Sequence, residues 1–241
     1  MEFGKKLLTI DPARLVDPKK SDDVSDFFLV LGIFYNDLKS LSFYLIKANK
    51  DFEEIKNEPS PEKGEFGGIK AHLSRLMAAT LHEFFDFINQ NLEIIRKEEF
   101  QLIYKDLSQQ QRQRWDLMMD ISSGQDSNDS SDLAKILVFI RNNLAFHYYQ
   151  SAKLLRKGFV DFFFNDEKVE ENGTAYYSMG DKMRETRFYY CDASAERALR
   201  DKVMTAGLSI EEYNERLGNI IRDVNFCLMD LMKIYIKGRP Y

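Results

Sequence analysis

Leucine, isoleucine and phenylalanine return at three- and four-residue steps along much of the chain, the spacing that lines one face of an α-helix. Leu31, Phe34, Tyr35, Leu38, Leu41 and Leu45 form the first such stripe. It predicts a helix over about 24–50, opened by the acidic Ser21-Asp22-Asp23 after an irregular lead-in punctuated by Asp11-Pro12 and Asp17-Pro18. Pro59, Pro61, Gly64, Gly67 and Gly68 then mark residues 57–68 as a connecting loop. A second long helix is predicted over about 69–96, with Leu73, Leu76, Met77, Leu81, Phe84, Phe85 and Ile88 as its buried positions. A third, over about 97–119, has a weaker pattern because Ser108 to Arg114 is strongly polar.

Residues 122–131 are a polar, serine-rich loop with nothing to drive packing, and Ser130-Ser131-Asp132 suit the N-cap of a helix over about 132–157. On that helix Leu133, Leu137, Ile140, Leu144 and Tyr148 make a narrow apolar stripe, with Val138, Phe139 and Phe146 on the opposite side. A helix apolar nearly all round is expected to be buried on more than one side.

Beyond it, Phe162-Phe163-Phe164, Tyr176-Tyr177 and Phe188-Tyr189-Tyr190 are separated by Asn172-Gly173 and Gly180-Asp181. This reads as an insertion over about 158–208 with a small β-hairpin, strands near 174–179 and 184–191, followed by a helix over about 193–205. A last helix over about 209–236 carries Leu217, Ile220, Ile221, Val224, Leu228, Leu231 and Met232. The expectation is one all-α domain over 1–241, a bundle of four to five long helices with core helices about 21–157 and 209–237.

Composition adds limits. Only five prolines accompany 12 tyrosines and 19 phenylalanines among 241 residues, which favours helices over a sandwich of short strands. A formal net charge of -5 argues against a protein that coats long stretches of nucleic acid, though not against a small basic pocket gripping a phosphate. Cys191 and Cys227 are too few for a disulfide framework and form no metal motif, so they are expected to be reduced core residues. The N-terminus has no signal-peptide stretch, and the longest apolar run, Phe27 to Tyr35, is short for a bilayer span. Both point to the cytoplasm, with no membrane partner.

Candidate chemistry centres on Arg141-Asn142-Asn143-Leu144-Ala145-Phe146-His147. On an ideal helix Arg141 and His147 flank the apolar stripe about 120° apart and about 9 Å along the axis. The bland account pairs Arg141 with a carboxylate on a neighbouring helix and makes His147 a satisfied core histidine. The other account is chemical: an imidazole can take or give a proton near neutral pH, and a guanidinium fork matches phosphate oxygens.

An arginine, a polar residue directly after it and a histidine a few positions on resemble the HEPN superfamily motif, here Arg141, Asn142 and His147. Tyr149 matches the tyrosine two beyond the histidine in some toxin members. The resemblance rests on about nine residues and the helix order, and 158–208 has no counterpart in it. It implies an HEPN-like helical bundle that is a metal-independent endoribonuclease needing no cofactor, the toxin or effector of a toxin–antitoxin or phage-defence system. It further implies a homodimer whose motif helices face each other, an RNA substrate, and an antitoxin or regulatory protein as a further partner. The rival reading, from another class, is a catalytically inactive helical dimerisation and interaction module.

Three further features carry candidate readings. Arg184 and Arg187 on the presumed hairpin are candidates for gripping RNA backbone, although a solvated hairpin face with cross-strand charge pairs is favoured. His72 and His82, about 15 Å apart along one helix, make no metal site and read as structural. Lys153, Arg156 and Lys157 form a basic end to the motif helix, where the dipole favours cations in any case.

Overall fold

The computed structural model describes residues 8–17, 19–55, 60–123, 128–146, 151–165 and 174–238, without the side chains of residues 14, 128–131 and 184. Among these residues every regular element is helical. Asp22 caps α1 (Asp23–Glu53) by accepting from the backbone N–H groups of Val24 and Ser25. By length and composition α1 is apolar enough to cross a membrane. Here Phe27, Phe28, Leu31 and Leu38 are nonetheless sealed in the core, while Leu29, Ile33 and Ile46 are exposed.

Helix α2 (Pro61–Gln90) begins well before the expected start near Ile69, and the presumed loop glycines are helical. Ser60 is its N-cap, accepting from the Lys63 N–H at 3.1 Å, and Pro61 fills a first-turn position that needs no N–H donor. Gly64 and Gly68 serve close approach, not a turn. A Cβ at Gly64 would lie 2.6 Å from the Tyr189 ring, and one at Gly68 2.0 Å from the Arg187 guanidinium. Each glycine costs about 1 kcal/mol of helix propensity against alanine, which the packing it permits must offset.

The second helix stops at Gln90 and its expected tail is a separate turn, α3 (Leu92–Ile95), while the weak third segment is two pieces, α4 (Glu98–Lys105) and α5 (Gln109–Ser123). Polar Ser108 and Gln111 form a reciprocal cap at the start of α5, Ser108 N–H to Gln111 Oε1 at 2.8 Å and Gln111 N–H to Ser108 Oγ at 3.4 Å. Residues 124–127 of the serine-rich loop lie outside the described residues. Helix α6 (Asn128–Ile140) follows and runs into a π-helical turn, Arg141–Ala145.

The motif helix therefore does not run unbroken to Lys157. It ends at Ala145, and α7 (Ala152–Phe163) starts afresh after Ser151. Its stripe is as expected, with Leu133, Leu137, Ile140 and Leu144 buried, whereas Tyr148 lies outside the described residues. Its opposite side is covered only in part: Phe139 packs on the core, whereas Val138 is 42% and Phe146 47% exposed.

The expected hairpin reduces to one antiparallel bridge between Ser178 and Arg187, with N–H···O distances of 2.8 and 3.0 Å, around a 3-10 turn at Met183–Glu185. Tyr189 already opens α8 (Tyr189–Thr205), so the aromatic run from 188 is not a strand. These rings pack on helices instead: Tyr189 fills the Gly64 notch, and Tyr190 meets Phe159 of α7 edge-on at 6.3 Å. Likewise 158–163, expected as the start of the insertion, belongs to α7. Gly158 lets α7 and α8 approach closely, since a Cβ there would sit 2.2 Å from the Ser194 carbonyl oxygen.

Gly207, with φ +79°, ends α8, and its left-handed conformation returns the chain into α9 (Ile210–Gly238). Helix α2 is central, packing on α1, α5, α6, the π turn and α8. Helix α9 closes the bundle against α1, where Tyr235 stacks on Phe28 at 4.1 Å and donates to the Leu15 carbonyl at 2.8 Å. Cys227 is buried as expected, but Cys191 is exposed, because α8 turns that position outward.

Candidate functional site

Arg141 opens the π turn, which closes through the Phe146 N–H to the Arg141 carbonyl at 3.3 Å. Such single widened turns recur at functional sites, because they re-aim the side chains they carry. Asn143 donates to the Phe139 carbonyl at 2.9 Å, and the Ser151 hydroxyl donates to the Asn143 carbonyl. The widened turn is thus pinned from within and from the residue that precedes α7.

Glu83 on α2 and Asn142 beside it both hold the Arg141 guanidinium. Its Nε donates to Glu83 Oε1 on α2 at 2.7 Å, and its Nη1 donates to Asn142 Oδ1 at 2.9 Å. The pair is partly open to water, the Arg141 side chain 32% and the Glu83 side chain 40% exposed. Solvent screening at that exposure limits the ion pair to about 1 kcal/mol. Arg141 therefore presents a positioned positive charge near the surface, with Asn142 orienting it. The carboxylate that the bland sequence account required is Glu83.

His147 and Tyr149, the other residues of the motif, lie outside the described residues. Beside Glu83, His82 is mostly buried, its Nδ1 3.4 Å from Asp86 Oδ2 without a hydrogen bond to it. His72 is exposed ten residues earlier on α2; partial burial and then the Arg75 charge lower its pKa from the ordinary value. Among the described residues no group of three or more His, Cys, Asp and Glu is arranged to hold a metal ion.

The structure places Arg187 far from a free RNA-gripping role. Its Nε and Nη2 donate to Asp192 at 3.0 and 2.9 Å, and its Nη1 to Glu65 at 3.1 Å, cross-linking α2 and α8. The side chain of Arg184 lies outside those described. Lys153, Arg156 and Lys157 fall in the first half of α7, not at the C-terminal end of the motif helix.

Two grooves lie away from Arg141. One, of about 490 Å³, is apolar and runs between α1 and α9 past Tyr35, Ile46 and Phe226. The other, of about 460 Å³, lies between α2, α8 and the start of α9 beside Arg75, whose Nη2 faces Asp192 at 3.6 Å and whose buried Nε and Nη1 have no partner among the described residues.

Sequence reasoning missed Glu83 and Ser151 as residues that shape the site. Nothing local marks either one, since Glu83 acts across 58 positions and Ser151 across eight. Searches of family models, of curated proteins and of solved structures found no match to the chain.

Proposed function

We propose that the chain is an HEPN-like, metal-independent endoribonuclease acting in the cytoplasm, the toxin or effector of a bacterial defence or toxin–antitoxin system. One observation carries the reading: a partly exposed guanidinium, aimed by Glu83 and Asn142, at a π turn six residues before a histidine. In this chemistry the ribose 2′-oxygen attacks the adjacent phosphorus and the bond to the 5′-oxygen breaks. His147 accepts the 2′-hydroxyl proton, and the departing 5′-oxygen needs a proton from a second acid. Arg141 stabilises the charge that builds on the phosphoryl oxygens, and Asn142 fixes its direction.

One histidine serves poorly as both base and acid, so the reading includes a homodimer that brings two Arg141–His147 pairs into one cleft. Exposed Val138 and Phe146 on the outer side of the motif segment offer the apolar surface for such a contact. An antitoxin or regulatory protein remains part of the proposal through the family resemblance alone. The Arg141–Glu83 ion pair favours a second reading, a silent interaction module in which Arg141 only ties the π turn to α2. RNA cleavage in excess chelator by wild type, Arg141→Ala and His147→Ala separates the two. Loss of cleavage in both variants supports the enzyme, whereas equal rates in all three sink it.

A further inference from the structure

Cations are disfavoured at the N-terminal end of a helix, where unpaired N–H groups already place positive charge. Helix α7 nevertheless carries Lys153 in its first turn, followed by Arg156 and Lys157 in the next, has no acidic residue in its first turn, and receives no side-chain cap from Ser151. That hydroxyl is committed to Asn143 instead. All three cations are exposed, and no carboxylate among the described residues pairs with them. Two nearby acids among the described residues are engaged elsewhere: Asp161 accepts from Asn165 at 3.1 Å, and Asp201 accepts from Arg197 at 3.0 Å.

At helical spacing Lys153, Arg156, Lys157, Val160 and Phe164 share one side, and that side is exposed, Phe164 at 71%. The opposite side is locked on α8 through Gly158. Lys202 of α8 adds a fourth cation where it and Lys157 line a cleft of about 160 Å³. The stripe starts beside Ser151, which is bonded to the π turn that carries Arg141. Exposed phenylalanines stand at either end of the cationic run in chain order, Phe146 and Phe164.

We infer that the exposed side of α7 binds the phosphate backbone of single-stranded RNA, leading the strand to the Arg141 turn. The inference rests on the ribonuclease reading only for the identity of the polyanion. Cations that track a backbone, with aromatic faces for stacking, are the physical means of sequence-tolerant single-strand binding. A planar anionic membrane would meet the chain's net charge of -5 as well as the stripe, whereas one strand meets the stripe alone.

The test is fluorescence anisotropy with a short, mixed-sequence, labelled single-stranded RNA against the full chain carrying His147→Ala, so that the probe is not consumed. Two triple variants are added to that background, K153E/R156E/K157E and K153Q/R156Q/K157Q, with Lys105→Glu as a charge control on α4. Three phosphate contacts contribute about -2 to the slope of log affinity against log salt. Both triples are expected to lose about that slope and at least tenfold in affinity at low salt, while Lys105→Glu keeps both. Melting of the glutamate triple is expected to hold or rise, because Lys153→Glu replaces a cation with an anion in the first turn of the helix and the other two side chains are exposed. A slope retained by either triple overturns the inference, as does binding of phosphatidylserine–phosphatidylcholine vesicles in preference to RNA. Stripe-dependent binding without cleavage by the wild-type chain would uphold this inference and sink the ribonuclease reading.

Discussion

Gly158→Ala adds one methyl group where α7 crosses α8, and the sign of its effect tests how these helices pack. The new Cβ would lie 2.2 Å from the Ser194 carbonyl oxygen and 3.3 Å from the Ala198 backbone nitrogen. Both neighbours are backbone atoms of a helix whose Ala195 and Ala198 are themselves buried, so neither can yield by rotating a side chain. The helices must separate by more than an ångström to restore ordinary contact. Overpacking of this kind costs about 1–3 kcal/mol, and the clash with a rigid backbone places it at the upper end. Against it stands the helix preference of alanine over glycine, about 1 kcal/mol. The net is a loss of about 2 kcal/mol, or a fall in Tm of about 4–8 °C for a chain of this length. Gly218→Ala on α9 is the matched control, because its Cβ would meet nothing within 4 Å. There the propensity term acts alone and Tm is expected to rise by about 2–4 °C. Differential scanning calorimetry of the two variants decides the matter. A rise in Tm for Gly158→Ala would refute the close crossing of α7 on α8, and with it the support for the cationic side of α7.

Glu83→Gln removes the charge that orients Arg141 in a pair open to solvent, so Tm should fall by less than about 4 °C. The RNA cleavage rate constant should drop about ten- to hundredfold with little change in KM, and a changed KM at constant kcat would contradict an orienting role. Arg187→Ala leaves Asp192 and Glu65 without their shared partner across α2 and α8; a loss of about 1–3 kcal/mol is expected in urea unfolding, and none would show the cross-link to be idle. His72 is held below its ordinary pKa by burial and by Arg75. The unfolded chain therefore takes up that proton more readily, and stability should decline as pH falls below the ordinary value toward the folded one. His72→Asn should flatten that decline in urea midpoints measured across mildly acidic pH; an unchanged slope would refute it. Burial raises both thiols, Cys227 up to about 12, but only Cys191 is exposed, so native chain should label first at Cys191, and equal labelling of both would contradict the core packing.

The apolar stripes were legible because burial acts on every turn of a long helix. Leu31 and Leu38 on α1, Leu81 and Phe84 on α2, and Leu228 and Leu231 on α9 are all sealed in the core. Glycines were misread because a turn and a helix–helix contact both require a missing side chain. At Gly64 and Gly68 what decided between them was Tyr189 and Arg187, more than a hundred residues away. Ser60 followed by Pro61 was a local signal for the true start of α2, outweighed by the glycines behind it. Aromatic residues 188–190 suit strands by propensity, yet rings that fill notches on neighbouring helices gain more than one antiparallel bridge could supply. The break at the motif was invisible to periodicity, since a π turn adds a single residue to a helix whose apolar pattern continues through Leu144. At the site itself, Arg141 announced its need for a carboxylate. Which carboxylate met it was a property of the fold.

The most direct measurement is strand scission of a single-stranded RNA by the full chain in excess chelator, with the new 3′ ends identified by mass spectrometry. Attack by the 2′-oxygen requires a 2′,3′-cyclic phosphate at those ends, and scission should vanish in His147→Ala and Arg141→Ala while α-helical content is unchanged. Scission by His147→Ala at the wild-type rate would contradict the catalytic role of the Arg141–His147 segment. Dependence of wild-type scission on an added divalent metal would do so equally.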